Sequence, residues 1–589
     1  MVARTLITTA DERTWPEDKK QPIIFLGEWC KRYTRKFAWQ QLNAEVEPYH
    51  WDDRNKLYKD YQYIDGLYEE LIIELSEKLN QIHSADHSIR YWRIIIGPWL
   101  GYFLQTLFDR WVMLKQVIEK SKPVDCYLLE RDSMSIVSND MSHFLKLFVN
   151  DDWNEAVYGQ LLELFWKDKI NIKRVRLKAG CLVENYYVDK KTNVTSKVKK
   201  SIKKLILKFN IFFSKSNENF FIISYLPKIV EFKLQIRLGQ FPKIWSIPET
   251  PRIRFNIEQR QWRLRKKKYG SFEDAASNLI SQHIPIAYLE GYSKLFTAAS
   301  QLPWPKEPKS IFTSNAHMSN DLFKVWAASK VELGSPLIIG QHGGNYGMGV
   351  FSFSEDHEIT IADKWLSWGW SYNKTNVTPV GNLKIFDERV SCDPNGGALM
   401  VEMAVPRYSY HLYSVPVSSQ WLDYFEDQKT FLKCLPLTIQ KQVTLRFKED
   451  YGWDQIERWK SQDLDIKIDF SGKKMRELIS KSRIFISTYN ATTYLESLSW
   501  NVPTIIFWNP DYWEMNKETE QYFELLSKVG IFHKTPEGAA QHMSHVWNNV
   551  SEWWESNEVQ NARNKFNKQF SNVDNHVMDR LEEVFHKVN

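Results

Sequence analysis

Short apolar runs, each ended by Gly, Pro, Asn or a charge, alternate along the chain with stretches whose apolar residues recur at three- and four-residue spacing. The first pattern predicts buried strands and the second amphipathic helices. PIIFLGEWC (22–30) predicts a first buried strand closed by a Gly-Glu turn. Residues 49–119 carry the helical spacing through most of their length, and VDCYLLERD (124–132) then predicts a strand running into Glu130, Arg131 and Asp132. From 219 there follow a strand, a Tyr-Leu-Pro turn and a helix bearing Glu231. Residues 310–315, 320–331 and 336–340 read as strand, helix and strand, the repeat from which parallel sheets are built. After the Gly-, Asn- and Pro-rich VGNLK and SCDPNGGA, a second series starts with ALMVEMAVPR (398–407), QVTLRFK (442–448) and DIKIDF (465–470). RIFISTYNATTYLESLSWNVPTIIFWNP (483–510) closes it as strand, turn, helix and strand. The pattern predicts an α/β chain of two doubly wound domains, 1–390 with large helical insertions and 396–589.

The turn inside 483–510 concentrates Ser487, Thr488, Asn490, Thr492 and Thr493 where a helix begins. Hydroxyls and amides beside unpaired backbone N–H groups suit a phosphate, and the same residues also serve as ordinary helix caps. Arg407, Arg446 and Lys448 stand at the ends of the neighbouring predicted strands, where cations would face a phosphate-bearing ligand. QHGGNYGMG (341–349) supplies Gly343 and Gly344 for close backbone approach and His342 as a proton carrier. Its spacing matches neither the dinucleotide fingerprint nor the ATP phosphate loop. Glu28 at a strand end, Glu231 and Asp356 are the carboxylate candidates, each with the alternative of a surface charge or cap. Asp52, Asp53 and Arg54 read either as an acceptor site or as the start of a helix.

Composition narrows the function classes. Lys and Arg number 78 against 72 Asp and Glu, a formal +6, too mild for a chain whose main partner is nucleic acid. The five cysteines are scattered without a CxxC pair, which predicts no structural metal site and a reducing compartment. The first residues hold no apolar core of a secretory signal, so a cytoplasmic location is expected. Ile94–Phe108 is the most membrane-like run, but it is shorter than the roughly 20 residues that span a bilayer and is closed by Asp109 and Arg110, which predicts a buried helix. The lysine-rich stretch around Lys197–Lys215 places Val198, Ile202, Leu205, Ile206, Phe209 and Phe213 on one helical stripe. Such a stripe suits the anionic surface of an inner membrane, or a solvated helix packed on its own domain.

FLGEWC, YHWDDR, RYWRIIIGPWL, QHGGNYG, IADKWLSWGW and STYNATTYLES together resemble a family of transferases encoded in bacterial surface-polysaccharide clusters, over nearly the whole chain. More distantly the chain is similar to capsule Kdo transferases and to retaining pseudaminic acid transferases. The resemblance implies a GT-B-type glycosyltransferase with two Rossmann-type domains facing a cleft. It also implies a CMP-activated nonulosonate or ulosonate donor, a glycan or lipid-linked glycan acceptor and no further cofactor. Retention of configuration would then require a carboxylate nucleophile, for which Glu28, Glu231 and Asp356 are the candidates beside His342, and Glu496 would contact the ribose. A polyol-phosphate or other nucleotide-sugar transferase, or a non-catalytic component of capsule assembly, are the competing expectations.

Overall fold

The computed structural model describes residues 4–131, 136–176, 210, 215–265, 268–372, 374–386, 390–447 and 449–588. Asp132, Lys448 and, apart from 210 and 215, the Lys197–Lys215 stretch lie outside the described residues. The chain divides into two compact units, the first made of residues 1–223, 239–337 and 408–411, the second of 224–238, 338–407 and 412–589.

In the first unit β1 (Thr5–Ile7), β2 (Ile23–Phe25), β3 (Ala44–Val46), β4 (Asp125–Leu129) and β5 (Asn171–Val175) form a five-stranded parallel sheet in the order β3-β2-β1-β4-β5. Residues 22–30 therefore supply the second strand rather than the first. The first is a three-residue run too short to stand out by pattern. β6 (Phe220–Phe221) and β7 (Ile311–Thr313) pair in parallel. The helical spacing of 49–119 becomes α1 (Arg54–His83) and α2 (Ile89–Lys120). Asp53 caps α1 by accepting from the Lys56 N–H at 3.1 Å, so its capping role is the one the fold uses. Ser88 caps α2 in the same way.

The membrane-like run 94–108 lies inside α2 and is buried along its length. No helix among the described residues is long and apolar enough to cross a membrane. Asp109 and Arg110, which close that run, are themselves buried as an ion pair at 2.6 Å. Arg110 also donates to Asn154 Oδ1 at 2.8 Å and to Ser409 Oγ and O at 2.7 and 2.9 Å, while His50 Nε2 lies 3.0 Å from Asp109. Burial would raise the Asp109 pKa, but Arg110 and His50 override it and hold the carboxyl down at about 2.

The second unit contains residues 338–340 of β8 (Leu337–Gly340), then β9 (Lys364–Ser367) and β10 (Val377–Pro379), joined in parallel. Its larger sheet holds β11 (Gly397–Val401), β12 (Val443–Arg446), β13 (Lys467–Ile468), β14 (Ser482–Ser487), β15 (Thr504–Phe507) and β16 (Phe532–His533). All six are parallel, in the order β13-β12-β11-β14-β15-β16. Numbered within the sheet this is 3-2-1-4-5-6, the doubly wound order, and the direction of winding reverses between β11 and β14. Ligands of such sheets bind outside the carboxyl ends of the strands at that reversal. The chain is thus α/β, with parallel sheets in both units. The helices that bear on the site are α3 (Lys228–Arg237), α4 (Phe353–Ile361), α5 (Thr492–Ser499) and α6 (Asn557–Phe570), all of the second unit.

Candidate functional site

β14 ends at Ser487 and α5 begins at Thr492, so the turn between them leaves the sheet at the winding reversal. The Thr488 hydroxyl donates to the Val401 carbonyl at 2.8 Å, tying the end of β14 to the end of β11, and lies 2.6 Å from the Tyr424 hydroxyl. Asn490 Oδ1 accepts from Tyr494 at 2.8 Å, Ser487 donates to the Tyr489 carbonyl at 3.3 Å, and Thr493 donates to the Tyr489 hydroxyl at 3.3 Å. The side chains thus brace the turn. None of them caps α5: the N-cap residue is Ala491, which makes no side-chain bond to the first-turn N–H groups. That end of the helix keeps donors and a positive dipole end.

The glycine loop is seated on this end. The Gly344 N–H donates to Thr492 Oγ1 at 3.0 Å, and a Cβ placed on Gly344 would lie 2.3 Å from the Ala491 carbonyl oxygen. On Gly343 a Cβ would lie 3.2 Å from Thr492 Oγ1. These two positions are glycine because the loop backbone presses on the β14–α5 turn. The loop is held from behind by Gln341, fully buried, whose Oε1 accepts from the Trp368 N–H at 2.9 Å and Trp370 Nε1 at 3.2 Å. Trp368 Nε1 donates to the Gln341 carbonyl at 3.0 Å. The WLSWGW run is thus the scaffold of the loop.

His342 follows β8 on this loop, and its ring stacks on Tyr225 with centroids 5.8 Å apart. Tyr225 adopts φ +60, a left-handed conformation that bulky residues seldom hold and that concentrates at functional sites. Tyr346 links His342 to a buried carboxylate. Its hydroxyl lies 3.2 Å from His342 Nε2 and donates to Glu358 Oε1 at 2.9 Å, while Trp365 Nε1 donates to Glu358 Oε2 at 3.2 Å. Glu358 Oε1 is also 3.9 Å from His342 Nδ1. The arrangement gives a mostly buried imidazole, its side chain 20% exposed, a route to a fully buried carboxylate through one phenol.

The carboxylates singled out in the sequence fall in different settings. Glu231, on α3, is buried, bonded by the Ser224 hydroxyl and 3.3 Å from Lys228 Nζ; Ser224 directly precedes the tyrosine that stacks on His342. Asp356 is exposed on α4, whose buried acids are Glu355 and Glu358. Glu28 belongs to the first unit and pairs with Lys31 at 2.7 Å. Among the cations, Arg446 is paired with Asp469, and Arg407 is buried against Gly452, where a Cβ would lie 2.5 Å from its Nε. Glu496 is paired with Lys384.

Three acids carry chemistry that the sequence pattern did not single out for roles. Glu358 is one. Glu355 accepts from the Gly347 N–H at 2.7 Å; burial pushes its carboxyl up to about 7 against the pull of Lys374. Glu402, the first residue past β11, accepts from Gln455 at 2.6 Å and Trp459 at 3.0 Å, and burial likewise pushes it up to about 7. It stands at the carboxyl end of the strand beside the winding reversal. Its position directly after the apolar strand β11 is the signal that would have found it.

Among solved structures the chain is similar to MurG of Acinetobacter baumannii, at 11% identity over 51% of this chain and 78% of that one, with a TM-score of 0.28. It is similar to a variant of the wall teichoic acid polymerase TagF with CDPG, at 13% identity over 66% of this chain and 98% of that one, TM-score 0.31. It is also similar to Anabaena Alr3699/HepE in complex with UDP and glucose, at 13% identity over 55% and 89%, TM-score 0.29. No curated protein matches the chain. The model of the LIC12162 family transferases matches residues 4–585, nearly the whole length, and the chain belongs to that family.

Proposed function

We propose that this transferase is a GT-B-type glycosyltransferase that moves a nonulosonic or ulosonic acid, of the pseudaminic acid or Kdo type, from its CMP conjugate to a glycan acceptor of a capsule or surface polysaccharide, with retention. The observation that carries the reading is the seating of the glycine loop on the uncapped N-terminus of α5 at the winding reversal of the large sheet. The donor phosphate docks on the α5 N–H groups and on the backbone of Gly343 and Gly344, held in register by Thr492. The kind of donor follows from the motif resemblance described above.

A CMP-linked sugar carries its own leaving group, so the protein has chiefly to position the acceptor hydroxyl and manage its proton. His342 takes that proton and passes charge toward Glu358 through the Tyr346 hydroxyl. Double displacement with retention needs a carboxylate nucleophile at the anomeric carbon. Glu231, beside Ser224 and the Tyr225 that stacks on His342, is the first candidate; Asp356, in the same unit, and Glu28, in the first unit, are the two alternatives. Lys197–Lys215 would hold the protein at an anionic leaflet, where a lipid-linked acceptor resides, each lysine contributing about 1 kcal/mol.

Incubation with CMP-Kdo, CMP-pseudaminic acid and CDP-glycerol, followed by intact-protein mass spectrometry, tests the reading. CMP release with a sugar adduct, lost in Glu231→Ala alone, is the expected result. Turnover of CDP-glycerol without turnover of either CMP-sugar would overturn the donor class.

A further inference from the structure

A cavity of about 330 Å³ opens in the first unit between α1, the carboxyl-terminal half of α2 and the start of the helix Phe272–His283. Its walls are aromatic. Phe108, Trp111 and Phe272 form the buried back, Phe108 edge to face on Phe272 with centroids 4.9 Å apart and Trp111 at 5.8 Å from the same ring. Tyr63 and Tyr269 stand at the rim, 39% and 75% exposed, and leave apolar ring surface in water. The volume lies at the lower end of the range of small-molecule sites, whose usual lining is aromatic with a few polar groups.

The polar groups here are mostly cations. Lys115 Nζ lies over the Trp111 ring, 5.2 Å from its centroid, and Lys268 is exposed beside Tyr269. Among the described residues neither ammonium has a carboxylate partner. The acid among the described lining residues, Glu273, accepts from the Tyr63 hydroxyl at 2.5 Å. The sequence on either side of Lys268, Lys266 and Lys267 before it and Tyr269, Gly270 and Ser271 after it, adds no further acid.

We propose that this cavity is a binding site, separate from the glycine loop, for an acidic sugar residue, a pyranose that bears a carboxylate. The C–H bonds on one face of a pyranose are weakly positive, and the negative face of an aromatic ring attracts them, which is the part given to Tyr269 and Tyr63. The carboxylate meets the ammonium groups of Lys115 and Lys268 in charge-assisted hydrogen bonds. A glycan carrying such residues would be held on the protein by them, independently of the donor. The assignment rests on the rings and the two ammonium groups and stands whether or not the donor is a CMP-sugar.

Isothermal titration of the full chain with trigalacturonate, with maltotriose as a neutral trisaccharide and with citrate as a tricarboxylate that is no sugar, tests it. Trigalacturonate should bind at least tenfold more tightly than either of the others. Tyr269→Ala and Lys115→Gln, both at exposed positions where the fold is not at stake, should each weaken that binding at least fivefold, and Thr492→Ala should leave it unchanged. Citrate bound as tightly as trigalacturonate, or binding weakened by Lys115→Gln and untouched by Tyr269→Ala, would reduce the cavity to a charged patch and overturn the sugar assignment. Equal binding of maltotriose would overturn the acidic class. Binding lost in Thr492→Ala and kept in the other two variants would place the sugar at the glycine loop and overturn the second site, as would no binding of any probe.

Discussion

At the scale of single residues, Gly344 and Thr492 are the most exposed to test, since one hydrogen bond and one backbone contact join the loop to the helix. Thr492→Val should weaken donor binding by about 1–3 kcal/mol, the usual range for a lost bond to a charged assembly, and calorimetry showing wild-type affinity would remove the hydroxyl from the site. Tyr346→Phe cuts the route between His342 and Glu358 while keeping the ring that packs at 5.2 Å on His342. It should lower kcat about 10- to 100-fold, within the range of general acid–base effects, with little change in KM and a displaced pH profile. An unshifted profile would make the tyrosine a packing residue.

Glu402 and Glu355 add a pH signature. Their folded pKa values of about 7 lie above the ordinary 4.5, so the folded state holds protons that the unfolded chain has released. Their contribution to stability is full below about pH 4.5 and is lost as the pH rises through 7. Glu402→Gln, which keeps the bond from Trp459, should flatten the fall of Tm between about pH 5 and 8, and an unchanged slope would contradict the burial argument.

At the scale of elements, the β14–α5 junction is the decisive one. Ala491 stands where Ser, Thr, Asp or Asn usually caps a helix, and supplying a cap there normally gains about 1 kcal/mol. Ala491→Asp should therefore raise Tm and, because its carboxylate occupies the place of the donor phosphate, reduce donor binding. A variant that is more stable and still binds normally would return the α5 N-terminus to a purely structural role.

This junction was legible in the sequence because residues 483–510 carry an apolar strand, a hydroxyl-rich turn, a helical spacing and a second apolar strand within one stretch. His342 and the two glycines were legible from their density in a nine-residue loop. β1 was harder, being three residues long in the fold, too short for a period to register. The partner of His342 was hidden for another reason. In SEDHEITI the candidate read from the sequence is Asp356, yet α4 buries Glu355, His357 and Glu358 and exposes Asp356, a choice made by the tryptophan that donates to Glu358 and by the loop that bonds Glu355. Tertiary partners, and no local pattern, decided which acid went inside.

At the scale of the whole molecule, both units reuse one device, a parallel sheet whose winding reverses beside its first strand, between β1 and β4 in one and β11 and β14 in the other. The first unit adds the long helices α1 and α2 and closes them with the buried Asp109–Arg110 pair, which residues 408–411 complete through Ser409. Arg110→Ala strands Asp109 without its cation and should cost about 3–5 kcal/mol in a urea titration; a loss under about 1 kcal/mol would mean the cluster relaxes or hydrates.

The measurement that bears most directly on the central claim is a crystal structure of the protein with CMP. The account predicts the phosphate within hydrogen-bonding distance of the N–H groups of Thr492 and Thr493 and of the Gly343–Gly344 backbone, with His342 beside it. CMP bound elsewhere, with the α5 N-terminus empty, would contradict it.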